Sequence, residues 1–478
     1  MAGHLEDQPK WFTPERMLFI FCFVNLLNYI DRGTIASNGV NGSSTNSTCN
    51  VTETCHTGAG IQGDFGLSNF EDGFLSSAFM IGLLIASPIF AHSAKVCNPF
   101  KLIGVGLSVW TFATAACGFA VEFWTIAIAR MLVGVGEASF ISLAAPFVVD
   151  HAPQDKKTVW LSLFYMCIPV GMALGYIYGG VVGGYLHWRI AFWGEAILML
   201  PFAIFCLISL PIPMIGQIDG ASHDEQEQSS SKSSSNRNLQ ESLKAFGHHA
   251  MIFLEDIKTL FKNVTYSINV LGYIVFNFVL GAYSYWGPRA GYAIFNLANA
   301  DLVFGGVTVF CGIIGTVAGG LVLDKIGATI TNSFKLLSIA TFIGAIFCLA
   351  SFVSSTLLLF IPLFSLGELF VFATQGPVNY LTMQCVSSEL RPLAMAVSTV
   401  CIHVFGDVPS SPLVGLLQDY LDNWRVTTLI LTTIFFLAAI VWFAGYLLPV
   451  ESRTLAEECI LQTTQLEDLQ EAPLLAKV

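Results

Sequence analysis

The chain is 478 residues long, 54% hydrophobic and only 11% charged, with a formal net charge of −12. A soluble domain carries about 25% charged residues, so this chain has too few charges to cover a water-facing surface; a large soluble enzyme, a nucleic-acid binder and a disordered protein are excluded. What remains is an all-α membrane protein that crosses the bilayer many times.

Runs of about twenty apolar residues predict twelve transmembrane helices, at 17–37, 72–92, 101–120, 123–149, 158–184, 189–210, 264–286, 301–323, 333–353, 356–383, 392–417 and 426–448. The first run is full length and lacks an Ala-x-Ala-like cleavage site, so it is expected to remain as a helix. With an even span count and both tails on one side, every lysine falls on that side. Positive residues stay cytoplasmic, which predicts cytosolic termini.

Span 1 is interrupted by Asn28, Asp31 and Arg32. Charge at membrane depth is costly and is a functional hypothesis by default. The loop that follows, 38–71, carries three N-glycosylation acceptors, Asn41, Asn46 and Asn50, which suits a lumenal loop. Cys49 and Cys55 lie in the same loop, where a disulfide is chemically allowed. In span 4, Arg130 and Glu137 are seven residues apart and share a helical face. Asp31 lies roughly 9 Å below the outer end of span 1, and Arg130 roughly 10 Å below the outer start of span 4, at 1.5 Å per residue. The two are level and are expected to pair. Glu137 lies roughly another 10 Å down, near the midplane, with no evident cation. Burial there favours a neutral carboxyl, which makes Glu137 the candidate proton carrier.

Span 5 holds Gly171, Gly175, Gly179 and Gly183 at four-residue spacing, and span 8 holds Gly312, Gly315, Gly319 and Gly320. Small residues so spaced let helices approach closely in lipid. Between the sixth and seventh spans, His223 to Arg237 is polar and serine-rich, the pattern of a flexible linker. The chain therefore divides into a cytosolic tail (1–16), a six-helix bundle (17–210), a cytosolic linker (211–262), a second six-helix bundle (263–450) and a cytosolic tail (451–478).

A repeat supports two pseudo-equivalent halves. Gly136-Glu137 in span 4 is followed by Pro146, and Gly367-Glu368 in span 10 by Pro377, at the same spacing. The copies are unequal: Ile361 stands where Arg130 would be. In span 11, His403 and Asp407 at i, i+4 form a possible second polar pair. No CxxC pair or His/Cys cluster suggests a metal, and no cofactor is expected.

These residues resemble the major facilitator superfamily. The motif between spans 8 and 9, Gly319-Gly320-Leu-Val-Leu-Asp324-Lys325-Ile-Gly327, is similar to that superfamily's loop signature. The resemblance implies a cytoplasmic gate in which Asp324 faces Arg391 or the N-terminal dipole of span 11. The matching first-half loop, 91–101, lacks the aspartate and both glycines. Within the superfamily, Asn28-Tyr29-Ile-Asp31-Arg32 and Arg130-x-x-x-Gly134-x-Gly136-Glu137 resemble spinster-type lipid transporters, plant members in particular. That resemblance implies a proton-linked secondary transporter of sphingolipid-derived lipids or lysophospholipids. Asp31, Arg130 and Glu137 would be its functional charges, with Asn28 and Glu368 beside them. Expected partners are an amphiphilic lipid, protons and the surrounding membrane lipids, with no nucleic acid, and the chain is expected to act as a monomer in a late endosomal, lysosomal or vacuolar membrane, or in the plasma membrane. The alternatives are a facilitator of a small organic anion and a transport-inactive receptor or scaffold.

Overall fold

The computed structural model describes residues 13–43, 59–94, 97–153, 157–208, 255–297, 300–387 and 390–448. Among these, twelve helices are long and apolar enough to cross a membrane, as the hydropathy pattern predicts. In chain order the helices are α1 (Pro14–Ala36), the short α2 (Asn38–Asn41) and α3 (Gly60–Phe65), α4 (Asn69–Ser93), α5 (Pro99–Gly118), α6 (Phe123–His151), α7 (Lys157–Tyr185) and α8 (Trp188–Ile208). There follow α9 (Val264–Phe295), α10 (Ala300–Ile326), α11 (Ile330–Val353), α12 (Leu357–Phe372), α13 (Gln375–Gln384), α14 (Arg391–Ile402), α15 (Val408–Leu421) and α16 (Trp424–Tyr446).

Local chemistry sets several boundaries. Proline occupies the first position of α1 and α5, where its missing N–H costs nothing. Thr13 caps α1 by accepting from Arg16 N, and Asn98 caps α5 by accepting from Phe100 N and Lys101 N. Spans 10 and 11 are each broken. The break between α12 and α13 falls at Ala373, four residues before Pro377, whose ring would clash with that carbonyl in a continuous helix. A π-helical turn, His403–Asp407, joins α14 to α15. Such turns mark functional segments often enough to be noted.

The chain forms two compact units: Met1–Ser230 with Leu280–Phe310 and Asp407–Thr427, and Ser231–Val279 with Cys311–Gly406 and Thr428–Val478. In the first, glycine contacts bring backbones together. A Cβ on Gly33 would strike the Met172 carbonyl, and one on Gly175 the Ile30 carbonyl, so α1 and α7 touch along the predicted glycine stripe. Gly82 and Gly134 do the same for α4 and α6, and Gly106 and Gly136 for α5 and α6. The far end of this unit, where α1 finishes, is fastened by carboxylates. Asn38 N donates to Asp301 Oδ1 at 2.9 Å. Asn69 N and Phe70 N, at the start of α4, donate to Asp419 at 3.0 and 2.9 Å. Tyr285 Oη donates to Asp72 Oδ1 at 3.0 Å, and the tyrosine is buried.

In the second unit, Gly315 and Gly319 of α10 pack on α12 and its end at Ala373, while a Cβ at Gly320 would meet nothing. Tyr266 Oη donates to the Ala394 carbonyl at 2.8 Å, and Asn269 Nδ2 to Thr382 Oγ1 at 2.9 Å. Large apolar side chains such as Phe112 and Leu358 stand out of their helices at 77% and 85% exposure, costly in water and suited to lipid.

Candidate functional site

The charges of α1 and α6 meet inside the first unit. Asp31 and Arg130 are both buried. Arg130 Nη1 donates to Asp31 Oδ1 at 2.7 Å and Oδ2 at 2.9 Å, the pairing that the depth arithmetic predicts. Glu137, however, does have a cation. Arg32 Nη2 donates to its Oε1 at 2.7 Å, which corrects the expectation of an uncompensated carboxyl. The helices are antiparallel, since Phe21 lies against Phe147 and Asp31 against Arg130. Side chains lean toward the N-terminus of their own helix, so Arg32 leans down α1 while Glu137 leans up α6. The two close a gap that the backbone levels leave open.

The site is layered by an aromatic ring. Phe79 of α4 lies 4.7 Å from the Arg32 guanidinium carbon and 5.4 Å from that of Arg130, centroid to carbon, and Tyr29 lies 4.7 Å from Arg32. Cation–π contact of this kind steadies a desolvated guanidinium. The pairs differ in access. Arg130 and Asp31 are 1% and 0% exposed, whereas Arg32 is 15% exposed over a fully buried Glu137. Bonding capacity is left over. Arg32 Nε, Arg130 Nε, Glu137 Oε2 and both amide atoms of Asn28 are buried with no hydrogen-bond partner among the described residues. Buried polar atoms are nearly always satisfied, so this set can take water or the polar head of a ligand.

Other sequence candidates lie apart from this cluster. Glu368 is buried on α12 in the second unit, and among the described residues no cation or hydrogen-bond donor meets it. Its neighbours include Cys311 and Cys348. His403 and Asp407 bracket the π-helical turn, Asp407 lying against Gly281 of α9. The expected Asp324–Arg391 contact is absent among the described residues: Asp324 and Lys325 are exposed, and Arg391 Nε donates to the Met383 carbonyl at 3.2 Å. Gly327 ends α10 at φ +89°, a conformation that glycine adopts freely, and Asn332 Nδ2 bonds its carbonyl at 2.9 Å. Asn41 is buried at 1% exposure, and a glycan needs an exposed amide, so Asn41 is withdrawn as an acceptor. Asn46, Asn50, Cys49 and Cys55 lie outside the described residues.

Sequence reasoning passed over Arg32 as the partner of Glu137, Phe79 as the divider, and Glu195 of α8, which is buried at 1% exposure. A signal for Glu195 exists: it follows Gly194, the third Gly-Glu dipeptide within a span beside 136–137 and 367–368.

Comparison with known proteins points in one direction. The sequence profile described as Major Facilitator Superfamily matches residues 22–408. The chain is 59% identical over 442 residues to an Arabidopsis thaliana protein named "Probable sphingolipid transporter spinster homolog 2", covering 92% of this chain and 89% of that one. It is 28% identical over 428 residues to the Drosophila melanogaster protein spinster, covering 86% of this chain and 62% of that one. Among solved structures, a bacterial homolog to the human lysosomal transporter spinster, inward-facing and unoccupied, matches with a TM-score of 0.73 at 14% identity. The match covers 94% of this chain and 99% of that one, and shares the fold.

Proposed function

The chain belongs to the Major Facilitator Superfamily and, within it, to the spinster family, and from that premise we propose that this multi-pass membrane transporter, which is not an enzyme, moves sphingolipid-derived lipids or lysophospholipids by proton-linked alternating access. The observation that carries the reading is the Arg32–Glu137 pair. Its arginine is the partly exposed member of the two buried ion pairs, and it keeps an unused Nε–H. A phosphate-bearing headgroup is a strong bidentate acceptor for a guanidinium. Binding it draws Arg32 away from Glu137. An unpaired buried carboxylate is costly, so the released Glu137 takes a proton. Lipid and proton affinities are then linked reciprocally, which is the requirement for coupled transport. The name of the Arabidopsis relative, a probable sphingolipid transporter, supports the same substrate class.

Cytosolic termini and an endosomal, lysosomal or vacuolar membrane complete the proposal. The test is a lipid-resolved flux assay in proteoliposomes across a defined pH gradient. Wild-type protein should accumulate a single-chain phospholipid or sphingoid phosphate against its gradient. Flux that ignores the pH gradient, or of small organic anions in place of lipid, would overturn the reading.

A further inference from the structure

Glu195 sits in the eighth position of α8 (Trp188–Ile208), roughly 10 Å from its start. Arg130 lies at the same depth in α6, and Asp31 roughly 7–8 Å from the end of α1. The residue is 1% exposed; neither carboxyl oxygen has a well-formed hydrogen bond among the described residues, and Thr34 and Asp31 are the side chains near enough to bond it. Four other helices contribute named neighbours. Asp31 and Thr34 face it from α1, Arg130 from α6, Cys117 from α5 and Tyr178 from α7. Thr34 Oγ1 donates to the Ile30 carbonyl at 2.8 Å. Tyr178 Oη likewise donates to the Ala191 carbonyl at 3.0 Å. Arg130 is the one cation among these neighbours, and its Nη1 is held by both oxygens of Asp31.

Charge counting then leaves a residue. Asp31, Glu137 and Glu195 are three carboxyls; Arg32 and Arg130 are two guanidiniums. Two ion pairs account for all but Glu195. A buried carboxylate without a cation is disfavoured far more than its neutral acid, and the lone pairs of Thr34 and Asp31 are acceptors for an acid O–H.

We propose that Glu195 is a second proton-binding site of the transporter, and that Asp31 and Glu195 alternate as partner of Arg130. In the arrangement seen, Asp31 holds Arg130 and Glu195 holds the proton. When Arg130 swings to Glu195, the Glu195 O–H bond breaks and an O–H bond forms on Asp31, directly or through water, so the proton count of the cluster is unchanged by the swing itself. Release of that proton to one side and its uptake from the other adds a coupling step separate from Glu137. This role rests on the proton-linked reading above; the protonation of Glu195 does not.

Two measurements separate those claims. Infrared difference spectra of the purified full-length protein in detergent, Glu195→Gln against wild type at neutral pH, should lose one protonated-carboxyl absorption, whereas Glu137→Gln should not. Glu368 contributes equally to both spectra and cancels. No lost absorption overturns the proposal whatever the protein transports. In proteoliposomes, the ratio of pH-driven lipid accumulation to lipid exchange should fall at least about tenfold in Glu195→Gln, one decade being one unit of proton affinity. Glu195→Asp should restore coupling with a displaced pH profile. Superimposable profiles for Glu195→Gln and wild type overturn the role. If Glu195→Gln does not fold, Glu195→Asp decides: a displaced profile supports the site and an unmoved one rejects it. Wild-type protein that shows no pH-driven lipid accumulation defeats the transport reading alone, and the infrared result still decides the protonation of Glu195.

Discussion

Spans 4 and 10 carry one framework with two contents. In α6, Gly136 brings the backbone onto Gly106 and Trp110 of α5; in α12, Gly367 does the same against Gly344 and Cys348 of α11. Each glycine is followed by a buried glutamate and, nine residues later, by a proline. The packing device is thus duplicated, but the electrostatics are not. Glu137 has Arg32, and Arg130 sits seven residues before it with Asp31. Among the described residues Glu368 has no cation, and Ile361 replaces the arginine. The prolines diverge too: α6 runs unbroken through Pro146, while span 10 breaks ahead of Pro377. Backbone contact is what a repeat needs in order to fold twice. Charge in a membrane is kept where it works, so on the proposed reading the two buried ion pairs, both in the first half, are where coupling is to be tested.

The comparison breaks most visibly at Arg130. Arg130→Met removes the buried partner of Asp31, and losing one partner of a buried pair costs about 3–5 kcal/mol. Thermal unfolding in detergent should drop sharply and transport should vanish. Ile361→Met in the second half should leave both close to wild type. Comparable losses from the two would show that the halves are not specialised.

Next comes the glutamate pair. Glu137→Gln leaves Arg32 with a weaker acceptor, a cost of about 1–3 kcal/mol for a buried polar group left short of its partner, and should abolish pH-driven transport. Glu368→Gln exchanges one partnerless polar group for another and should keep the pH dependence of flux. If Glu368→Gln lost that dependence instead, coupling would be shared between the halves.

The glycine stripes sharpen the same contrast. Gly33→Ala drives a Cβ into the Met172 carbonyl, and overpacking of this kind costs about 1–3 kcal/mol. Gly320→Ala meets nothing and should stabilise α10 by about 0.4–1 kcal/mol through the unfolded chain. Melting temperatures of the two variants, moving in opposite directions, would confirm that the α1–α7 stripe is a contact and that Gly320 of the α10 stripe is not part of one.

What could be read from sequence follows from which quantities are regular. Apolar run length and helical rise are regular, so the twelve spans and the level of Asp31 with Arg130 were legible. Side-chain lean is not visible in a count of residues, and that hid Arg32 from Glu137. Glu195 stands alone in an apolar span with no repeat partner to flag it, although its Gly-Glu dipeptide was there to be seen. The burial of Asn41 follows from α2 packing beside α7, a tertiary fact that a sequon does not encode.

The smallest effect belongs to the loop signature. Asp324 lies in the last turn of α10, exposed, with Arg391 bonded to a backbone carbonyl and not to it. A carboxylate at a helix C-terminus opposes the helix dipole, so nothing in this arrangement depends on its charge. Asp324→Asn should therefore change stability by no more than about 0.5 kcal/mol, read from thermal unfolding. If the aspartate locks a gate in another state of the cycle, the same variant should still alter cysteine-accessibility labelling across the α10–α11 loop. Labelling that shifts while the melting temperature stays put would assign Asp324 to a state other than this one. A fall in melting temperature would mean that Asp324 already bonds here, and would remove the distinction between an idle second-half gate and the occupied first-half charges.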